Sequence, residues 1–252
     1  MIAVYTLWWR DVVRFLRQRS RIVGALGSPI VFWALIGSGM HRSFRPPGAA
    51  EASSYLEFFF PGTLALIVLF TAIFSTISVI EDRQAGFMQG VLVAPVPRSA
   101  IVLGKVLGGT TLSLLQAALF LLLAPLVGIR ISWPAVIELV AVLALLGFAL
   151  TALGFLLAWW LNTTQGFHAV MNLLLVPMWI LSGALFPADG AAPWVRALML
   201  ANPLTYGVTS LRLLLTPELT ATGPSLATSV AVVTGFGVAL LAADAAVVGR
   251  RA

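Results

Sequence analysis

The chain has 252 residues, 60% of them hydrophobic and only 10% charged, and a mean hydropathy of +1.01. A soluble domain carries about 25% charged residues, so the composition argues against a water-soluble globule and for an all-α integral membrane protein. The chain contains no cysteine, which excludes disulfides and thiolate metal sites, and its net charge of +6 belongs to membrane topology rather than to nucleic acid.

The first stretch, residues 1–21, is not a span. Tyr5, Trp8, Trp9, Val12, Val13 and Leu16 recur at helical spacing, with Arg10, Arg14, Arg17 and Arg21 on the opposite stripe. This pattern predicts an amphipathic helix in the membrane interface, with Trp8 and Trp9 at headgroup depth and Arg10, Arg14 and Arg17 toward anionic lipid. A cleavable signal peptide is not expected, because the first apolar run follows this arginine-rich segment and has no small-residue cleavage site.

Six apolar stretches follow, each near the ~20 residues a bilayer needs. They are placed at Ile22 to Met40, Phe60 to Ile80, Val102 to Val127, Pro134 to Trp160, Ala169 to Phe186 and Leu226 to Val248. With both termini inside, ten lysines and arginines fall on the inner side and five on the outer, which supports an N-in, C-in orientation. Residues 187–217 are too apolar for a free loop. They hold two short apolar pieces broken at Asn202-Pro203, which predicts a re-entrant hairpin on the outer side.

Between the second and third spans, residues 81–98 read "EDRQAGFMQGVLVAPVPR". Phe87, Met88, Val91 and Leu92 are helically spaced, and Pro95 and Pro97 stop the helix. Glu81 and Asp82 are expected at its start, where the helix dipole favours anions. The whole is a short amphipathic helix held under the membrane.

That stretch resembles the cytosolic motif of the ABC-2 type exporter permeases, at Arg83, Gly86, Leu92 and Pro95. "NPLTYGVTSLR", from Asn202 to Arg212, resembles the same family's second signature. Gln84 and Gln89 depart from it, standing where the family often has glutamate. The resemblance covers the chain as one transmembrane domain, residues 1–252. It implies a permease that pairs with a second copy or a similar permease and binds two ABC ATPase subunits, which hold the ATP and Mg. It places Glu81, Asp82, Arg83, Gly86, Phe87, Met88, Leu92 and Pro95 in coupling to the ATPase, and Asn202, Pro203, Tyr206 and Arg212 in an outer gate. Consistent with this, no G-x-x-x-x-G-K-[ST] phosphate loop occurs in the chain. "LSGA", Leu181 to Ala184, lies in an apolar run and reads as a coincidental match to an ATPase signature. On this reading no residue is catalytic, no metal is held, and the inward faces of spans one, two and five enclose a path for a hydrophobic or amphipathic cargo.

Other residues are open to two readings. Gly104 and Gly108 allow close helix approach, within the subunit or between subunits. Glu138 is an acid near the outer boundary that can snorkel or serve function. Asp244 is expected to pair with Arg250 and Arg251. Gln116, Asn162, His168 and Asn172 suit interhelical hydrogen bonds or cargo contact. Ser38 in "GSG", with His41 nearby, raises the reading of an intramembrane hydrolase, while His168 is expected near the opposite face. The rival from another class is a membrane assembly or anchor protein without transport, which an adjacent ABC ATPase gene would argue against.

Overall fold

The computed structural model describes residues 2–40, 54–93, 96–219 and 223–250; at residues 19–21, 92–93, 219 and 250 only the backbone is described. The described residues are helical and contain no strand. The helices are α1 (Ile2–Leu16), α2 (Arg19–Gly39), α3 (Tyr55–Ser75), α4 (Ile77–Gln84), α5 (Phe87–Val93), α6 (Arg98–Leu121), α7 (Trp133–Trp160), α8 (Thr164–Ile180), α9 (Pro193–Ala201), α10 (Pro203–Leu215) and α11 (Leu226–Arg250).

Five of these segments are long and apolar enough to cross a membrane: Ile22–Gly39, Tyr55–Gln84, Arg98–Leu121, Trp133–Trp160 and Leu226–Gly249. They overlap five of the six expected spans. The expected span Ala169 to Phe186 is instead the 17-residue α8 followed by turns. At 1.5 Å per residue it reaches about 26 Å, short of the ~30 Å hydrocarbon layer. The second crossing is longer than expected, because α3 runs into α4 across a single break at Thr76, whose hydroxyl bonds back to the Ile73 carbonyl.

The helix α3 is the axis of the molecule. Phe59, Phe60, Leu64, Ile67 and Ile73 are fully buried, and α2, α6, α7 and α10 pack around it. Lipid tails are as apolar as leucine, so association in the bilayer depends on close fit and polar bonds. Gly109 supplies such a fit: a Cβ there would lie 2.4 Å from both Ser75 Oγ and Thr151 Cγ2, so α6 meets α3 and α7 with no room for a side chain. Gln116 bonds in the same interior, accepting from Thr71 Oγ1 at 2.6 Å.

The first helix differs from the expected orientation. Its buried face is Leu7, Asp11, Val12 and Phe15, while Tyr5, Trp9 and Leu16 are exposed. The reason is that α1 lies along α6. A Cβ on Gly104 would lie 2.9 Å from Leu7 Cβ, and one on Gly108 would lie 3.4 Å from Asp11 Cβ. The glycine pair therefore serves packing within the subunit. Trp8 follows, donating from Nε1 to Thr111 Oγ1 at 2.9 Å.

Candidate functional site

The inner end of the second crossing carries three consecutive charged residues, Glu81, Asp82 and Arg83, and the structure turns each toward its own chain. Asp82, on the last turns of α4, is 4% exposed. It accepts from Lys105 Nζ of α6 at 2.5 Å, from Arg14 Nη1 of α1 at 3.3 Å, and from Arg10 Nη2. Arg14 also reaches Glu81 at 2.8 Å, and Lys105 reaches Asp11 at 2.9 Å. Three cations thus meet three carboxylates at the junction of α1, α4 and α6. A buried charge is tolerated only when paired and hydrogen-bonded, and here each acid has at least one cation within 3.2 Å. Arg83 points the other way. It donates to the carbonyls of Ala158 at 3.0 Å, Trp159 at 2.7 Å and Leu161, which are left without partners at the end of α7. A cation there also meets the negative end of the helix dipole.

This placement corrects the sequence reading in one respect. Glu81 and Asp82 lie at the C-terminal end of α4, not at the start of the next helix, so the dipole opposes them and Lys105, Arg10 and Arg14 offset it. Arg10 and Arg14 are accordingly drawn to these acids rather than aimed at lipid, whereas Arg17 is exposed. Lys105 and Asp11 were not singled out in the sequence. The available signal was a lone lysine inside an apolar run, which demands an anionic partner.

Beyond the cluster, Gly86 has φ +75°, a left-handed conformation that costs an L side chain strain, and it turns the chain from α4 into α5. Phe87 then projects outward, 41% exposed, with the Arg10 guanidinium 3.9 Å above its ring. Met88 is only 1% exposed and packs into the protein's own core, so it has no surface to offer a partner. Gln84 donates to the Asn162 carbonyl at 2.9 Å, and Gln89 is exposed. The Leu92 side chain and Pro95 lie outside the described residues.

At the opposite end, α9 and α10 form two short helices joined at Asn202. The Asn202 side chain caps α10, accepting from the Leu204 amide at 3.0 Å, and donates to the Met178 carbonyl at 2.6 Å. Thr205 Oγ1 donates to the Met199 carbonyl at 2.6 Å, and Tyr206 to the Leu200 carbonyl at 2.9 Å. Arg212, 9% exposed, donates to the Gly183 carbonyl at 2.9 Å and lies 4.4 Å over the Phe58 ring. Pro203 is the first residue of α10, where its missing N–H costs nothing. These bonds tie α10 to α9, to the end of α8 and, through Arg212, to the turns after α8. The "LSGA" stretch belongs to those turns.

The remaining polar residues separate cleanly. Glu138 and Asn172 are exposed. Asp244 is fully buried, with neither carboxylate oxygen hydrogen-bonded among the described residues; the Arg250 side chain and Arg251 lie outside them. Ser38 Oγ bonds back to the Ala34 carbonyl of its own helix, and His41 is outside the described residues. His168 lines a cavity of about 830 Å³ between α2, α3 and α8, the helices of predicted spans one, two and five. Phe32 and Trp179 lie toward one end of this cavity, and Phe15, Glu81 and Thr164 toward the other. The volume is that of a pocket for one drug-sized molecule, ~300–1,000 Å³.

Among known proteins, the family described as ABC-2 type transporter matches residues 2–216. A protein named as a transport permease, ycf38, from Cyanophora paradoxa is 28% identical over 84% of this chain and 73% of its own length. Nodulation protein J of Sinorhizobium fredii is 26% identical over 82% of this chain and 78% of its own. The daunorubicin resistance ABC transporter permease protein DrrB1 of Streptomyces coeruleorubidus is 21% identical over 83% of this chain and 74% of its own.

Proposed function

The chain belongs to the ABC-2 type transporter family, and from that premise we propose that it is the membrane subunit of an ATP-driven exporter, coupled to separate ATPase subunits through α5. Family membership makes it a multi-pass membrane transport subunit. The finer reading draws support from one observation: an exposed phenylalanine, Phe87, on a short helix set at a fixed angle by Gly86, directly beyond the charge cluster. A load applied at α5 passes through Asp82 into α1 and α6 and through Arg83 into α7.

On this reading the N- and C-termini are cytoplasmic, in the cytoplasmic or inner membrane. ATP and Mg are bound and spent in the partner subunits, two copies of the chain or one with a similar permease enclose the path, and α8 with its turns completes a sixth crossing. The hairpin α9–α10 closes the outer end. The cargo is hydrophobic or amphipathic, a class consistent with the apolar cavity and with a relative named for daunorubicin resistance.

The test is copurification of the ATPase with Phe87→Ala. Fully burying one large side chain is worth roughly 1.5–3 kcal/mol; Phe87 is 41% exposed, so docking buries less than half of it and should weaken about threefold to eightfold without the ring. Leu173→Ala, on an exposed face of α8, is the control. If Phe87→Ala inserts normally, retains the ATPase and exports as well as the control, α5 is not the coupling element.

A further inference from the structure

Resting on the permease reading for its trigger, we propose that α11 has two positions. It moves inward about one turn along α6 and α7, and Arg98 exchanges its contacts with the α11 carbonyls for an ion pair with Asp244. The motive is a bond left unmade. Asp244 is fully buried on α11, and neither carboxyl oxygen has a hydrogen-bond partner among the described residues. A buried carboxyl group without a hydrogen bond is costly whether or not it carries its charge.

The helices packed most closely on α11 are α7, α10 and α6. The charged residue of α7 is Glu138, and that of α10 is Arg212, which is held at the Gly183 carbonyl. α6 brings Lys105, already set between Asp11 and Asp82, and Arg98. Arg98 Nη1 donates to the Gly249 carbonyl at 2.7 Å and reaches the Val248 carbonyl at 3.5 Å. These carbonyls belong to the last turn of α11, which has no partners within the helix. Val248 lies four residues from Asp244 and is equally buried, about 6 Å along the axis. An inward move of about one turn brings Asp244 to Arg98 and delivers the carbonyls to water. Shifts of one turn between packed helices are a known form of switching. Arg250 and Arg251 follow Asp244 by six and seven residues, outside the i+3 and i+4 reach of a helix. Arg250, on α11 itself, would travel with the acid.

Two further features suit such a move. Only 17% of Leu226–Gly249 is buried, against 61% of Trp133–Trp160, so α11 is lightly held. Its crossing with α7 is made by small residues: a Cβ on Gly237 would lie 3.2 Å from Ala149 Cβ. The trigger is close at hand, because Arg98 opens α6 directly after the segment that carries α5.

The chain has no cysteine, so introduced pairs report alone. α7 and α11 run in the same direction, their C-terminal ends held by Arg83 and Arg98. Under oxidation, Ala149→Cys with Gly237→Cys traps the position described above, and Ala149→Cys with Val233→Cys, four residues earlier, traps the shifted one. In native membranes supplied with ATP both pairs should form. Asp244→Leu should slow the shifted pair about tenfold, the worth of one charged hydrogen bond, and should raise the melting temperature in detergent. Arg98→Gln should slow it likewise, and Arg98→Lys should retain it. A parent that forms no shifted pair overturns the proposal, as does an Asp244→Leu chain that forms it equally well. So does a lower melting temperature for Asp244→Leu, which would mean that the carboxyl already has its partner in Arg250 or Arg251. Absence of the shifted pair while the ATPase still copurifies sinks the shift alone. A shifted pair that forms equally with and without ATP, in a chain that retains no ATPase, sinks the coupled-permease reading and leaves the two positions standing.

Discussion

Lys105, 4% exposed, stands between two carboxylates on different helices, Asp11 on α1 and Asp82 on α4. The two acids are not equally dependent on it. Asp82 keeps Arg10 and Arg14 if the lysine is lost, whereas Asp11 keeps only the 3.2 Å contact with its sequence neighbour Arg10. Removing one partner of a buried pair leaves an uncompensated charge and costs about 3–5 kcal/mol. Lys105→Met should therefore lower stability by about 3 kcal/mol, the bottom of that range, since part of the cluster survives. Adding Asp11→Asn should recover a measurable fraction. Unfolding of the single and double variants in detergent checks this; equal stability of Lys105→Met and the parent would show that the cluster is solvated. The cluster was legible in the sequence only in fragments. Asp82 and Lys105 are 23 residues apart, and Asp82 and Arg10 72 apart. An acid after an apolar run reads locally as the start of a helix as readily as the end of one, and only tertiary pairing distinguishes them.

At the scale of elements, the spans that hydropathy locates are those that hydropathy builds. Trp133–Trp160 and Leu226–Arg250 fall within a few residues of their expected limits. α8 was harder to read because the apolar run from Ala169 to Phe186 continues past the helix end. Apolar turns there are stabilised by Arg212 and Thr205 from α10, so apolarity does not mark the boundary. The face of α1 was equally hidden: its tryptophans signal an interface, but the Gly104–Gly108 groove decides the orientation. That groove makes a sharp prediction. Gly104→Val would drive its branches into Leu7 Cβ and the Val4 carbonyl, the latter 3.2 Å from even a single Cβ. Overpacking of this kind costs typically 1–3 kcal/mol. It should lift α1 from α6 while leaving the crossings in place. Trypsin should then cut at Arg17 and Arg14 faster than in the parent, and unchanged cleavage would mean that α1 is held by something other than this contact.

For the molecule as a whole, the proposed topology is tested by two cysteines at exposed positions. Arg17→Cys, after α1, should react with an impermeant thiol reagent only once the cell is opened, and Asp189→Cys, between α8 and α9, should react in intact cells. The reverse pattern would invert the protein, and with it the assignment of α5 to the cytosolic side. The packing of α1 on α6 also has a consequence in time. The ribosome finishes Leu16 long before it reaches Leu112, which packs against Val12 and Phe15. At ~5–20 residues per second the wait is roughly 5–20 s. During that interval Leu7, Val12 and Phe15 have no protein to cover them and the Asp11 carboxylate has no lysine. The exposed Tyr5, Trp9 and Leu16 offer a second apolar flank that can rest on lipid meanwhile. A nascent chain arrested before Arg98 should therefore show α1 bound to the bilayer surface by Trp9, with its other flank still open to soluble quenchers of tryptophan at Trp8. Full protection of Trp8 at that stage would mean that the helix finds its seat before its seat is made.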